Sequence, residues 1–427
     1  MTTAAPGTDR IDTPEDGAPP RLVAITSVIL SMTLVAIGNG LLFAYVPFRL
    51  GAAGLPPTWA GMILTGLSAG GILGCFLTGS MVRRVGHARV YMTFSAMIIL
   101  ANAAITVGTY PWLWIASRAL YGFAICGLFI VAQSWLNDAV ANSIRGRVMS
   151  AFYISYIVGL GLGSLTMSFV DIDTPAAPII AIVFAALSII PVGMTSLKPP
   201  PPPESASVAL ARAWHISPVG LAGMLAVGGL SMMVAGFAPI HATASGFSQS
   251  QVSVLMVSMQ LGTILVQLPF GWISDRTDRR YVLVAASLLV MAGGIAASLT
   301  IGAPFIVLVA VFMVWGGSTE SIYSISSAHA NDRASKADLV ALSSSMLFAW
   351  SLSGFVIPGI ATALTAVFGT QAFMYVAIVI AAAFCAFVLW RLSQSPAAHG
   401  DGTFAPMSAQ APLPADLAFA PETDEAR

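Results

Sequence analysis

Charged residues are scarce in this sequence. They make up only 8% of its 427 residues, while 57% are hydrophobic; a soluble domain carries about 25% charged residues. So little charge cannot cover an aqueous surface, which excludes a water-soluble globular enzyme. Positive and negative residues also balance, at 18 each, so the chain has no basic patch with which to bind nucleic acid.

Cysteines and nucleotide-binding motifs are also rare. The three cysteines, Cys75, Cys126 and Cys385, lie inside apolar runs and lack metal-ligand spacing. We interpret them as small buried apolar side chains and predict neither a metal nor a cofactor. The sequence contains no Gly-x-x-x-x-Gly-Lys-[Ser/Thr] phosphate loop, which argues against an ATP-driven pump.

Long apolar runs, by contrast, are abundant. A helix needs about 20 apolar residues to cross the hydrocarbon core of a bilayer. Twelve runs are long enough: 22–47, 58–82, 89–109, 111–137, 147–170, 176–197, 217–242, 249–273, 281–301, 304–330, 338–366 and 370–392. The sequence therefore predicts an all-α membrane protein with twelve transmembrane helices, called spans one to twelve.

Segments rich in proline and polar residues divide the chain into five parts. Residues 1–20 and 394–427 are predicted to be disordered tails because they combine Pro with scattered acids. Five consecutive prolines at 199–203 predict a stiff linker over 198–215. The remainder forms two predicted six-helix bundles, 21–197 and 216–393.

The distribution of arginine and lysine predicts the orientation of the chain. Sixteen of the 18 lie in the tails or in connections that follow even-numbered spans, and the exceptions are Arg49 and Arg118. Loops rich in Arg and Lys stay in the cytoplasm. We therefore expect both termini and the linker on the cytoplasmic side of a multi-pass membrane protein.

The two halves of the sequence repeat each other. Identical residues 192 positions apart are Gly54 and Gly246, Gly70 and Gly262, Leu73 and Leu265, Gly79 and Gly271, Arg84 and Arg276, and Val90 and Val282. Because each half has six spans, the two copies have the same orientation, which is the parallel-repeat arrangement of secondary transporters. We expect a substrate to bind between the halves, which rock around it.

The loops after spans two and eight carry a recognisable pattern. Residues 271–280 read Gly, three residues, Asp, Arg, a spacer and two further Arg, and residues 79–89 are a variant with Arg83 in the Asp position. This pattern resembles the signature loop of the major facilitator superfamily. Arg118 to Gly122 is similar to the family's signature in span four. Residues 133–137 resemble a bacterial branch labelled YcaD-like.

The resemblance implies a gate at these cytoplasmic loops. An acid at a helix end can pair with arginine or face the N-terminus of a neighbouring helix, and we expect Asp275 to pair with Arg276, Arg333 or both when the cavity faces outward. Basic loops also arise from topology alone. The predicted gate residues are Gly79, Arg83, Arg84, Arg145, Arg147, Gly271, Asp275, Arg276, Arg279 and Arg333.

Charged residues well inside a span are functional candidates, because each costs about 2.5–3.5 kcal/mol on insertion scales. Two are present, Arg118 in span four and Glu320 in span ten. Glu320 lies roughly 16 Å from the end of its span, about half-way through the bilayer core. Its neighbours on the same helical face are small or polar, so we expect this face to border a wet cavity.

The resemblance implies that spans one, four, seven and ten line the substrate cavity. The predicted cavity residues are Asn39, Arg118, Tyr121, Gln133, Trp135, Met233, Glu320 and Tyr323. Each has a structural alternative. Asn39 and Arg118 could join neighbouring helices, Trp135 could belong to an interfacial aromatic belt, and the methionines could simply pack.

Glu320 is also the predicted proton-coupling group. Burial disfavours the charged form of a carboxyl and water favours it, so an alternating cavity would change its proton affinity. Two alternatives stay open. Glu320 could remain ionised and bind a cationic substrate, or it could be a structural carboxyl bonded to Tyr323 or Arg118.

These observations together predict a monomeric, proton-coupled secondary transporter of a small amphipathic organic solute in a bacterial inner membrane. The alternative within the same superfamily is a drug exporter. The fifth span lacks the Gly-Pro pair of drug antiporters, and its glycines Gly159, Gly161 and Gly163 instead predict close helix packing. A channel or a non-transporting receptor is a more distant alternative.

Overall fold

The computed structural model of the chain describes residues 18–140, 142–194, 208–299, 303–335 and 338–394. The predicted C-terminal tail lies outside the described residues except at residue 394. Residues 1–17 of the N-terminal tail and 198–207 of the linker also lie outside them. The proposed domain boundaries therefore stay predictions.

Twelve long helices and one short helix make up the described regions. They are α1 (Ala18–Ala52), α2 (Pro57–Val85), α3 (His87–Thr106), α4 (Pro111–Ala139), α5 (Asn142–Thr166), α6 (Ala176–Gly193), α7 (Leu210–Ile216), α8 (Pro218–Ala244), α9 (Gln249–Ser274), α10 (Arg279–Leu299), α11 (Phe305–Asn331), α12 (Leu339–Phe368) and α13 (Ala372–Gln394). Two 3₁₀ turns, Met167–Phe169 and Gly369–Gln371, follow α5 and α12. The prediction of an all-α fold is confirmed.

Each predicted span corresponds to one long helix. Among the described residues, 11 segments are long and apolar enough to cross a membrane, and the last of them, Ala341–Gln394, contains both α12 and α13. Spans one to six are therefore α1 to α6, and spans seven to twelve are α8 to α13. This agreement follows from the physical demand of the bilayer, which requires about 20 apolar residues per helix wherever the chain crosses.

The short helix α7 overlaps the C-terminal end of the predicted linker, 198–215. With 7 residues it is too short to cross a bilayer. It packs against the second half instead, where Arg212 forms an ion pair with Asp338 at 2.5 Å and the Trp214 ring lies 5.7 Å from that of Phe387. Tertiary contacts thus hold a helix that the sequence pattern alone does not predict.

The two halves share one packing scheme. In the first half α1 packs against α5 and α2 against α4; in the second half α8 packs against α12 and α9 against α11. The halves meet where α2 contacts α12, α5 contacts α9 and α1 contacts α8. The twofold repeat in the sequence is therefore present in the structure, and the interface between the repeats runs through the centre of the bundle.

Two of the three glycines in the run of α5, Gly159 and Gly163, pack closely as predicted. A Cβ atom on Gly163 would lie 1.9 Å from the carbonyl oxygen of Ile37, and one on Gly159 would lie 2.8 Å from that of Thr33. Both glycines therefore let α5 approach α1 closely. Gly161 points elsewhere, since its Cβ would meet only Gln260 at 3.9 Å.

Replacing Gly163 by alanine should therefore destabilise the protein, whereas Gly161→Ala should not. The added methyl at 163 must push α5 away from α1, and overpacking of this kind costs about 1–3 kcal/mol. Thermal unfolding of the purified variants measures the difference. Equal melting temperatures for both variants would show that α1 and α5 are not in close contact.

Candidate substrate cavity and gate

A central cavity lies between the two halves, with an empty volume of about 1140 Å³ that includes open solvent. Helices α1, α2, α4 and α5 line it from the first half, and α8, α9 and α12 from the second. Most of its wall is apolar. Its polar groups come mainly from the amides of Asn39, Gln133 and Gln260 and from the rings of Tyr121 and Trp350.

Several of these polar groups keep unused hydrogen-bonding capacity. Asn39 donates through Nδ2 to the Tyr156 hydroxyl at 3.4 Å, but its Oδ1 makes no hydrogen bond to protein. The Tyr121 hydroxyl and Trp350 Nε1 are likewise buried without a protein partner. Because leaving a buried polar atom unpaired costs about 1–3 kcal/mol, these atoms are suited to bind a solute in the cavity.

The structure brings only part of the predicted cavity set together. Asn39, Tyr121 and Gln133 line the central cavity, and Arg118 lines a smaller adjoining pocket. The other four predicted residues, Trp135, Met233, Glu320 and Tyr323, line neither cavity and are almost fully buried.

The orientation of each helix explains two of these differences. Met232, the residue next to Met233, lines the cavity instead, since successive residues on a helix point about 100° apart. The Trp135 ring packs against α3, with ring centres 6.0 Å from His87 and 6.1 Å from Tyr91. Hydropathy gives the length of a buried helix but does not fix its rotation.

Glu320 is the clearest departure from expectation, because its side of α11 faces helices rather than a wet cavity. The Glu320 carboxylate accepts a hydrogen bond from Ser231 of α8, and Gln267 of α9 donates to the Glu320 backbone oxygen at 3.2 Å. Gly317, on the same face of α11, approaches the backbone of Gly262. Small residues serve close packing as well as a polar cavity, so the pattern alone could not distinguish them.

The cavity also contains a pair of thiols, although both cysteines were predicted to be small buried packing residues. Cys75 and Cys126 both line the cavity, and their Sγ atoms lie 3.1 Å apart. Cys75 is also 3.5 Å from the Ser351 hydroxyl of the opposite half. The close pairing of α2 with α4 brings together two cysteines that are 51 residues apart, and their separation in sequence gives no signal of it. Cys385 is buried as predicted.

The predicted gate in the second half forms an ion-pair network centred on Arg279, which is 2% exposed. Arg279 lies 2.7 Å from Asp332 and 3.3 Å from Asp275. The network links the adjoining ends of α9, α10 and α11. The pairing of Asp275 with Arg276 or Arg333 in an outward-facing state stays a prediction.

Arg276 and Arg333, the two arginines predicted to pair with Asp275, contact other residues. Arg276 stacks on the Trp272 ring at 4.0 Å, and Arg333 contacts His329 Nδ1 at 2.9 Å. Burial and the nearby charge of Arg280 lower the pKa of Arg333. Gly271, at the start of the same loop, accepts the backbone hydrogen bond of Asp275 at 3.1 Å.

A second ion pair, between Asp278 and Arg280, lies beside this network and was not predicted. The two side chains are 2.7 Å apart and each is 2% exposed. Burial raises the pKa of Asp278, but hydrogen bonds from Arg280 outweigh it and hold that pKa below its usual range. Arg280 also donates to the backbone oxygen of Arg391, at 3.4 Å, so the pair connects the start of α10 to α13.

The corresponding loop of the first half differs. Arg83 and Arg84 follow Gly79 at the end of α2, and Arg147 lies in α5; all three side chains are exposed and form no ion pair with the residues that the structure describes. The side chain of Arg145 lies outside the described residues. Without an acid at position 83, this loop cannot form the network seen in the second half.

Two repeated bundles of apolar helices around a shared central cavity define a multi-pass membrane transporter. The chain belongs to the Major Facilitator Superfamily, whose family model matches residues 28–218 and 219–419. It is therefore a secondary transporter of small molecules and not an enzyme.

The relatives agree with this assignment. The chain is similar to the "Uncharacterized MFS-type transporter YcaD" of Salmonella enteritidis, at 24% identity over 350 residues, which is 81% of this chain and 88% of the relative. The protein of the same name from Escherichia fergusonii is 25% identical over 346 residues, 79% of this chain and 87% of the relative. The resemblance to the YcaD branch is thus confirmed.

Solved structures share the fold. The nucleoside transporter NupG matches with a TM-score of 0.68 at 13% identity, covering 88% of this chain and 98% of NupG. The human organic anion transporter MFSD10 matches with a TM-score of 0.60 at 15% identity, covering 87% of this chain and all (100%) of MFSD10. At these identities the matches concern the fold alone.

Proposed function

We propose that the chain is a proton-coupled secondary transporter of a small, largely apolar organic solute across a bacterial inner membrane, with the solute bound in the central cavity. The observation that carries the proposal is the unused hydrogen-bonding capacity of Asn39 Oδ1, the Tyr121 hydroxyl and Trp350 Nε1. These atoms lie on a mostly apolar wall shared by both halves.

The proposed orientation places the Arg-rich loops, the ion-pair network and both termini in the cytoplasm. At the opposite end the halves are joined by Gln249 of α9, whose amide donates to the Val170 backbone oxygen at 2.5 Å. The network around Arg279 would then act as the cytoplasmic gate of the second half. It holds the ends of α9, α10 and α11 together while the halves move relative to each other.

Glu320 is the proposed proton-coupling group. It lies on α11 where that helix meets α8 and α9, and α8 and α9 each contribute residues to the central cavity. Protonation of the carboxyl would change its hydrogen bond with Ser231 and so the fit of α8 against α11. In this proposal the coupling is indirect, because proton and solute occupy separate sites linked by α8.

The native cysteines provide a direct test of the solute site. A thermal-shift screen of small organic solutes on the purified protein identifies a stabilising solute. We expect that solute to slow alkylation of Cys75 by N-ethylmaleimide at least fivefold in a variant that keeps only this cysteine, because the bound solute covers the cavity wall.

A variant that keeps only Cys385 is the matched control, since Cys385 lies on α13 and does not line the central cavity. Alkylation of Cys385 should not respond to the solute. If a stabilising solute leaves the alkylation rate of Cys75 unchanged, or slows alkylation of Cys75 and Cys385 equally, the central cavity is not the binding site.

A further inference from the structure

Arg118 is a buried cation with an incomplete set of partners. The side chain is on α4 and is 4% exposed. Its Nη2 donates to Asn102 Oδ1 of α3 at 3.1 Å, and its guanidinium carbon lies 4.6 Å from the centre of the Tyr121 ring. Its Nε is buried and makes no hydrogen bond to protein.

Nothing in the described regions neutralises this charge. Five ion pairs occur among the described residues, and none involves Arg118. A buried charge without a counter-ion is strongly unfavourable, more so inside a bilayer, where such groups normally pair or face a polar pathway. The alternative that Arg118 merely joins helices accounts for the Asn102 contact, but it leaves the charge and Nε unexplained.

A pocket lies directly against Arg118. It has an empty volume of about 360 Å³, and apart from Arg118 its wall is made of apolar residues and glycine. Phe43 and Leu67 line both this pocket and the central cavity, so the two spaces adjoin. A ligand lying in the central cavity could therefore extend one end to the guanidinium.

We propose that Arg118 forms an anion subsite of the transport pathway, and that the transported solutes are organic monoanions with a carboxylate at one end and an apolar body. The proposal deepens the proposed function and rests on the central cavity being the solute site. A carboxylate accepts paired hydrogen bonds from a guanidinium and supplies the missing counter-ion. A phosphate dianion would call for further cations, and Arg118 is the only one lining the two cavities described.

Matched pairs of carboxylates and amides test the proposal on the full-length purified protein. The probes are benzoate, 3-phenylpropionate and hexanoate, each compared with its own neutral amide by isothermal titration. For at least one pair we expect the carboxylate to bind at least tenfold more tightly than the amide, because only the carboxylate neutralises Arg118.

Two variants remove this preference in different ways. Arg118→Gln deletes the cation, and the ratio of the two affinities should fall to near one. Asn102→Asp places a carboxylate where Oδ1 already lies 3.1 Å from the guanidinium. Since the protein then supplies the counter-ion itself, the variant should fold, melt at a higher temperature and lose the preference for carboxylates.

Arg49→Gln is the control for a general charge effect. Arg49 lies 3.9 Å from Asp173 and lines neither cavity, so this variant should keep the full preference. Equal affinity of carboxylate and amide for every pair in the wild type overturns the anion subsite, as does a preference that survives in Arg118→Gln.

The result also separates this inference from the proposed function. If the amides bind as tightly as the carboxylates and still protect Cys75 from alkylation, the central cavity remains the solute site and only the anion subsite fails. If carboxylates bind with the expected preference but leave Cys75 unprotected, Arg118 binds an anion, but the central-cavity assignment fails and with it the place of Arg118 in the transport pathway.

Discussion

Glu320→Gln is expected to abolish uphill uptake driven by a pH gradient while leaving solute exchange across the membrane intact. Glutamine keeps the size of the side chain and can still bond to Ser231, but it cannot release a proton. One proton moving down a gradient of one pH unit supplies about 1.4 kcal/mol, enough for roughly tenfold accumulation of a solute that moves with it. Proteoliposomes loaded with the solute found in the thermal-shift screen measure both processes.

Ser318→Ala is the matched control for this experiment. Ser318 is buried on the same helix and bonds to the Val314 backbone oxygen at 2.8 Å, so its loss should leave both uphill uptake and exchange close to wild type. Loss of exchange in Glu320→Gln would indicate that the carboxylate binds the solute or maintains the structure. Uphill, pH-dependent uptake by Glu320→Gln would rule out Glu320 as the coupling site.

Asp278→Asn is expected to destabilise the second half by about 3–5 kcal/mol, the usual cost of breaking a buried ion pair by removing one partner. Arg280 would keep its charge at 2% exposure and lose the Asp278 carboxylate that lies 2.7 Å from it. Thermal unfolding of the purified variant measures the loss as a lowered melting temperature.

The double variant Asp278→Leu/Arg280→Met is the control, because it removes both charges and leaves apolar side chains. It should recover most of the lost stability, since replacing a whole buried pair is often close to neutral. If the double variant melts at as low a temperature as Asp278→Asn, the pair stabilises the protein through the packing of its side chains rather than through their charges.

The lowered pKa of Asp278 also predicts how the stability lost in Asp278→Asn depends on pH. A carboxyl whose pKa is lower in the folded state stabilises the protein above its unfolded pKa of about 3.9. That contribution is lost as pH falls through the lower, folded value. The gap in melting temperature between wild type and Asp278→Asn should therefore be wide at neutral pH and narrow in strong acid.

The sequence determined the membrane fold because the bilayer imposes a simple rule on composition. A helix that crosses hydrocarbon must be apolar over about 20 residues and must satisfy its backbone internally, so each of the twelve spans is visible as a run. The repeat was visible for a similar reason. Pairs such as Gly70 and Gly262 keep the same register in both halves, and both meet a neighbouring backbone at close range.

Helix packing sets which side of each helix faces the cavity. Asn39 and Gln133 line it, but Glu320 turns toward α8 and α9, because a stripe of small and polar residues can serve close helix packing as well as a cavity wall. The pairing of Arg279 with Asp332 and the proximity of Cys75 to Cys126 depend in the same way on how helices pack. The position of a residue within its apolar run gives its depth in the membrane, and only helix packing gives its position around the helix axis.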